Sequence, residues 1–462
     1  MTVTVLTPPP HDGGRGRTAV RPKVVTIAAP TASPQARVDS LSAEGRGVAR
    51  IAGKTVFIDG ALPGEQVTFR YLKRRGGHDE GVATALLVAS PERVAPRCAH
   101  FGLCGGCSLQ HLAPEAQLRH KEGVLMAQLA HIGGLRPARR LEPVAAEAWA
   151  YRRRARLSVR FVEKKGGVLV GFTERRGQRV AELRSCEVLH PSVGRDLLGL
   201  RALIGELGAA RHIPQIEVAA GDSGTAVVIR HLKPLSEADR ERLCGYAERE
   251  RLAVFLQPGG AETVTRLWPL EERALSYGLP GEVEIQFQPN DFIQVNAAIN
   301  RALVANVVDL LAPDRHDRVL DLYCGLGNFS LPLARRAGEV VGVEGEERLV
   351  ERARENARRN RIENAAFFSC DLSAPDAAGP VLRGAFERVV IDPPRVGALG
   401  LIQALDLSRV LRLVYISCHP ATLARDAKVL CAQHGFRLEA AGVFDMFPHT
   451  SHVEALALFV RG

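Results

Sequence analysis

Arg318-Val319-Leu320-Asp321-Leu322-Tyr323-Cys324-Gly325-Leu326-Gly327-Asn328 reads as a short apolar strand that runs into a glycine loop, with an apolar helix pattern after it. Glycines at such a point let the backbone approach a ligand closely, and strand–loop–helix is the repeating unit of open α/β sheets. Working outward, Glu339 to Val343 is a second strand, and Val343-Glu344 ends it with an acid suited to a ribose diol. Glu347 to Arg361 is an Arg/Glu-rich helix with Leu349, Ala353 and Ala357 on one face. Ala365 to Ser369, Arg388 to Ile391 and Leu413 to Ser417 are further strands. This alternation implies a mostly parallel sheet with helices on both faces. The last two strands, about Phe436–Val443 and Val453–Val460, have no helix between them and are expected to pair antiparallel.

The glycine loop also restricts its ligand. A dinucleotide fingerprint wants a third glycine, but Ser330 stands there. Asp321 at the strand end would repel a pyrophosphate, whereas it suits the cationic methyl donor S-adenosylmethionine.

Val414-Tyr415-Ile416-Ser417-Cys418-His419-Pro420 puts a cysteine just beyond a later strand of the same sheet, at the carboxyl edge where ligands of such sheets bind. Ile391-Asp392-Pro393-Pro394-Arg395 ends a neighbouring strand. Asp/Asn-Pro-Pro followed by an aromatic suits methylation of exocyclic amines, but Arg395 replaces the aromatic, and an amine needs no covalent help. Carbon 5 of a pyrimidine does need it: a thiolate added at carbon 6 makes carbon 5 enolate-like, so that it can attack a methyl group. Cys418 is the candidate nucleophile. A base must then take the carbon-5 proton, and Phe447-Pro448-His449-Thr450-Ser451-His452-Val453-Glu454 supplies Glu454 at the start of the last strand. Cys244, Cys370 and Cys431 read as structural thiols, and Cys324 as packing within the loop.

The charge is segregated. Of 61 Lys+Arg and 51 Asp+Glu, residues 1–200 hold 31 and 17, and the remainder carries a slight acidic excess. A basic half beside a near-neutral one suggests a polyanion-binding module joined to a chemical one. Residues 1–33 are Pro/Gly/Thr-rich without an apolar signal core and are read as a disordered tail. No apolar run is long enough for a bilayer, so a cytoplasmic protein is expected. Residues 34–92 hold short β-branched strands, Thr55–Ile58 and Gln66–Tyr71, that fit a small nucleic-acid-binding barrel with a basic loop at Lys73-Arg74-Arg75. Residues 93–282 form a second, β-rich part with a helical segment near 114–132, and 283–462 the α/β part. Tyr151-Arg152-Arg153-Arg154-Ala155-Arg156-Leu157-Ser158-Val159-Arg160-Phe161 is read as a phosphate-facing strand. Nine cysteines without a secretion signal argue against a disulfide framework. Cys98-x5-Cys104-x2-Cys107 is a metal-ligand signal in which His100 or His111 completes a zinc site or a further cysteine completes an iron–sulfur site.

These motifs, with Asp291-Phe292-Ile293-Gln294-Val295-Asn296, resemble those of the RNA uracil-C5 methyltransferases, in the branch that acts on large-subunit (23S) ribosomal RNA; the likeness covers nearly everything after the tail. The resemblance implies a class I (Rossmann-like) methyltransferase domain, an N-terminal TRAM barrel that binds RNA, and the β-rich central domain. It implies that Cys418 is the nucleophile and Glu454 the general base. It assigns Gln294, Tyr323, Asn328, Glu344, Asp371 and Asp392 to the pocket for S-adenosylmethionine and the target base. It also implies a [4Fe–4S] cluster on Cys98, Cys104, Cys107 and Cys186, a ribosomal RNA partner and a monomer. Members usually carry Asn where this chain has His419. The alternatives are a transfer-RNA uridine or RNA cytosine-C5 methyltransferase, or a non-catalytic RNA-binding assembly factor.

Overall fold

The computed structural model describes residues 33–271, 274–374, 381–382 and 384–461. The tail read as disordered therefore lies, up to residue 32, outside the described residues. The chain divides into two compact units, one of residues up to Ser42 with Arg46–Pro91, the other of Ala43–Gly45 with Glu92 onward.

The first unit is a six-stranded sheet in the order Gln35–Arg37, Gln66–Arg74, His78–Val88, Lys54–Asp59, Gly47–Ile51, Ser40–Leu41. Alternate residues turn inward, so Val56, Ile58, Val67 and Phe69 close over Ala36, Val38 and Ala49. The basic stretch at 73–75 continues a strand into a hairpin rather than forming a loop of its own. Arg74 lies over the Tyr71 ring at 4.2 Å, and Arg75 pairs with Glu80 at 3.3 Å.

In the second unit a six-stranded sheet runs Thr265–Trp268, Ala253–Gln257, Thr225–Arg230, Gln215–Ala220, Arg154–Val162, Gly167–Gly171. Helices Leu197–Glu206 and Glu237–Glu250 cover one face of it. The C-terminal sheet consists of β1 (Arg318–Leu322), β2 (Glu339–Glu344), β3 (Ala365–Ser369), β4 (Arg388–Ile391), β5 (Arg412–Ser417), β6 (Arg437–Phe444) and β7 (Glu454–Val460). Their order is β3-β2-β1-β4-β5-β7-β6. The first five are parallel, and β7 inserts antiparallel between β5 and β6. A short eighth strand, Arg139–Arg140, extends the β6 edge. The central strands are apolar on both faces. Val319, Val340, Val390 and Val414 pack to one side, and Leu320, Val341, Val389 and Tyr415 to the other, as a sheet buried by helices requires.

Helix Pro114–Gln128 packs on helix Pro420–Ala432 and on β6. It also fastens the loop that leads into β7. Lys121, 1% exposed, donates from Nζ to Asp445 Oδ1 at 2.6 Å and to the Phe447 carbonyl at 2.9 Å. Burial pushes the ammonium down, and Asp445 opposes that shift. Gln117 accepts from the His449 amide at 2.9 Å. Ser108 and Leu109 each donate a backbone N–H to the His449 carbonyl at 2.9 Å. His449 itself sits at φ +66° and stacks on Trp149, the centroids 3.9 Å apart.

Lys121→Met leaves Asp445 buried without its cation, and losing one partner of a buried pair costs about 3–5 kcal/mol. A thermal melt of this variant is expected to show a clear fall in Tm.

Candidate active site

The pairing of β5 with β7 brings the two predicted catalytic side chains together. Ser417 is opposite Ala455, so the next position along each strand sets Cys418 against Glu454. Glu454 is 3% exposed and Cys418 half-buried. Burial pushes the Cys418 thiol up, Glu454 and Asp392 add to this, and the Arg395 guanidinium opposes it. Burial, then the neighbouring Asp392, hold the Glu454 carboxyl well above the usual carboxylate range. Burial also raises Asp392, to about 7.

His419, the departure from the usual Asn, caps the following helix. Its Nδ1 accepts from the Thr422 amide at 3.4 Å, its own amide donates to Ser417 Oγ at 3.0 Å, and Pro420 occupies the first helical turn. An imidazole with a free lone pair replaces a side-chain carbonyl as the cap. Arg395 Nη2 lies 2.8 Å from His452 Nδ1, and the Arg395 carbonyl accepts from Thr422 Oγ1 at 3.2 Å.

The glycine loop is built by its backbone. Tyr323 and Gly327 lie at φ +65° and +88°, and a Cβ at Gly327 would also meet Leu331 Cγ at 3.0 Å. Ser330, where the third glycine was absent, donates its hydroxyl to Asp321 Oδ2. Asp321 Oδ1 is buried without a hydrogen-bond partner among the described residues, and burial raises this carboxyl to about 7. Glu344 closes the loop by accepting from the Gly325 amide at 3.1 Å. Tyr323, Glu344 and Asp371 line a cavity of about 400 Å³. Gln294, Asn328 and Asp392 line a smaller one of about 40 Å³, with Tyr323 common to both.

Two residues of this site, Asn300 and Tyr277, were not read from the sequence. Asn300 and Asn328 exchange amide hydrogen bonds at 2.9 and 3.0 Å, and the Tyr277 hydroxyl donates to Asn328 at 3.1 Å. Neither belongs to a motif; Asn300 was an unremarked polar residue within an apolar helix. Asp291 serves as an anchor: Arg348 reaches it at 2.9 Å, and it accepts from the Gln288 amide at 2.7 Å, which fixes the turn before Gln294.

Cys98, Cys104, Cys107 and Cys186 line one cavity of about 260 Å³, together with Arg152, Phe447, Thr450 and His452. Burial raises Cys104 to about 11 and Cys107 to about 12, and the neighbouring cysteines add to both shifts. Among the described residues no three His, Cys, Asp or Glu side chains converge as ligands of one metal ion would.

The arginine strand departs from its reading as a phosphate-facing surface. Arg153 pairs with Asp222, and Arg154 with Glu217 at 2.9 Å; their side chains are 15% and 21% exposed. Arg156 reaches the same Glu217 at 3.1 Å, and Arg152 Nε donates to the Arg154 carbonyl at 3.0 Å. The acids come from a neighbouring strand and the turn beyond it, so internal pairing absorbs most of this charge. Arg156, despite its ion pair, and Arg160 remain exposed.

Sheet order, glycine loop and a thiol set against a carboxylate define a class I methyltransferase. The family described as tRNA (Uracil-5-)-methyltransferase matches residues 271–378 and 381–461, and the TRAM domain matches 35–70. The 23S rRNA (uracil(1939)-C(5))-methyltransferase RlmD of Alkalilimnicola ehrlichii is 53% identical over 92% of this chain and 96% of its own length. That of Nitrosococcus oceani is 53% identical over 92% and 95%. The crystal structure of the Pyrococcus abyssi tRNA (uracil-54, C5)-methyltransferase in complex with S-adenosyl-L-homocysteine superposes with a TM-score of 0.70 at 24% identity, covering 92% of this chain and all of that one. The chain belongs to the S-adenosylmethionine-dependent RNA uracil-C5 methyltransferase family.

Asn300→Ala removes the reciprocal partner of Asn328 and leaves a part-buried amide unsatisfied, at a cost of about 1–3 kcal/mol. Calorimetry with S-adenosylhomocysteine is expected to show roughly tenfold weaker binding in this variant.

Proposed function

We propose that this protein methylates carbon 5 of a uridine in 23S ribosomal RNA, with Cys418 as nucleophile and Glu454 as general base. The observation that carries the reading is the β5–β7 register, which sets a thiol against a buried carboxylate at the strand edge beside the glycine loop. The relatives at 53% identity over nearly their full length support ribosomal over transfer RNA as the substrate.

Tyr323, Glu344 and Asp371 are suited to hold the donor, with Glu344 at its ribose. The unpartnered Asp321 oxygen and the raised Asp392 favour a cation nearby, which fits a sulfonium. Bound there, S-adenosylmethionine supplies an electrophilic methyl group. Gln294, Asn328 and Asp392 line the smaller cavity, and Phe292, 68% exposed at its mouth, offers a ring for a base flipped out of folded RNA. In the reaction the Cys418 thiolate forms a bond to carbon 6. The displaced π electrons make carbon 5 the nucleophile that takes the methyl group, and the sulfur–methyl bond breaks to leave neutral S-adenosylhomocysteine. Glu454 then accepts the carbon-5 proton, the 5,6 double bond re-forms, and the carbon–sulfur bond breaks to return the thiolate. Both groups must be deprotonated to act, and burial holds both above their ordinary values, so the rate is lost as pH falls.

Cys98, Cys104, Cys107 and Cys186 are the ligands for the [4Fe–4S] cluster in this reading. Four cysteines lining one cavity are the donor set that such a cluster takes. The positive core of the cluster would favour the thiolate forms that burial, and to a smaller degree the neighbouring cysteines, disfavour at Cys104, Cys107 and Cys186. Methyl transfer consumes no electron, so its role is structural or RNA-positioning. The barrel and the exposed arginines are the RNA grip, and the enzyme works as a cytoplasmic monomer.

RNA carrying 5-fluorouridine at the target is expected to form a covalent complex in the presence of donor, since fluorine cannot leave as a proton. Cys418→Ala should give neither adduct nor turnover. Glu454→Gln should accumulate adduct with natural uridine. Full turnover by Cys418→Ala would end this mechanism. Anaerobically purified protein is expected to contain roughly four iron and four sulfide per chain, and Cys104→Ser or Cys186→Ser to lack them. Stoichiometric zinc without iron would overturn the cluster.

A further inference from the structure

The charges facing the Cys418 thiol are unbalanced. Glu454 on β7 and Asp392 after β4 both resist its ionisation, as does burial, and Arg395, which lines the same cavity, is the cation that opposes them. A thiol in such surroundings needs that guanidinium held in place, yet arginine has long, flexible linkage, and Arg395 is an exposed residue on a loop. The loop itself is tied down. The Arg395 carbonyl accepts from Thr422 Oγ1 at 3.2 Å, and the Gly397 amide donates to the Pro394 carbonyl at 2.8 Å.

The guanidinium head is held by His452. Arg395 Nη2 donates to His452 Nδ1 at 2.8 Å. An arginine carries no acceptor, so this contact requires the lone pair of a neutral imidazole whose proton is on Nε2. The imidazole is set by its own loop: it meets the edge of Phe447 at 5.6 Å and 62°, and its backbone N–H donates to Thr450 Oγ1 at 3.3 Å. Lys121 and Arg152 are the other cations that face it. Cys418, Arg395 and His452 line one cavity of about 380 Å³. His452 lies two residues before Glu454, so a single loop delivers both the carboxylate and the acceptor that aims the guanidinium.

We propose that Arg395 stabilises Cys418 as a thiolate, and that His452 is the positioning residue that holds the guanidinium against the sulfur. The inference rests on the reading of Cys418 as nucleophile and adds what favours its ionisation between two carboxylates. A lone arginine at this loop could instead grip an RNA phosphate, and the test separates the two roles.

The measurement is the pH dependence of iodoacetamide labelling of Cys418 in the full-length protein without RNA or donor, read by mass spectrometry on the Cys418 peptide. Arg395→Ala is expected to move the midpoint up by about one pH unit or more, the effect of removing a close opposite charge, so that labelling at neutral pH falls about tenfold. Arg395→Lys restores part of this. His452→Ala shifts the midpoint in the same direction, and His452→Gln, whose side-chain carbonyl can accept the same hydrogen bond, returns it toward the wild type. An unmoved midpoint in Arg395→Ala, with only the RNA KM raised, overturns the thiolate role. A shift in Arg395→Ala with none in His452→Ala overturns the positioning role. Failure of the nucleophile reading itself looks different: Cys418→Ala would turn over while the labelling profile still responded to Arg395.

Discussion

β7 runs antiparallel beside β5 with Ser417 facing Ala455, and the arrangement of the site follows from that register. A slip of one residue would turn every side chain of β7 to the opposite face and take Glu454 away from Cys418. The slip is opposed because the two faces of β7 carry side chains of different size, so exchanging them would overfill one core and leave voids in the other. Leu456 and Leu458 enter one core, and Ala455, Ala457 and Phe459 the other. The approach to the strand is equally constrained, since Lys121, Gln117, Ser108 and Leu109 hold the 445–451 loop through buried hydrogen bonds. Segments more than 300 residues away in sequence therefore fix where the carboxylate sits.

The electrostatics of the site follow from the same burial. Asp321, Asp392 and Glu454 are three carboxyls brought to one sheet edge, each raised by burial, and Asp392 raises the other two further. Such a site resists further negative charge and favours cations. The donor's sulfonium is one cation of the right kind, and Arg395 is the one the chain itself provides. The four-cysteine cavity shares Phe447, Thr450 and His452 with the loop that enters β7, so a group held there would bear on the same loop.

Much of this was legible in the sequence because it is local. Strand periodicity placed β1 to β7 within a residue or two, and the missing helix between β6 and β7 implied their antiparallel pairing. Ser330 read as a defect in a dinucleotide fingerprint; in the fold it is the donor to Asp321. What was not legible depends on distant partners. Arg153 and Arg154 look like free positive charge until Asp222 and Glu217, more than sixty residues away, neutralise them. Asn300 and Tyr277 carry no motif and gain meaning through Asn328. The edge strand Arg139–Arg140 is two residues long, too short for any periodicity. His419 could be seen as a substitution, but its role as helix cap required the backbone.

The proposed reaction is methyl transfer to carbon 5 of a uridine in 23S ribosomal RNA. The most direct measurement incubates the purified protein with unmodified 23S rRNA and methyl-labelled donor, then digests the RNA to nucleosides and maps the labelled fragment. Label is expected in 5-methyluridine at a defined site in 23S rRNA. Label in 5-methylcytidine, or in transfer RNA but not ribosomal RNA, would contradict it.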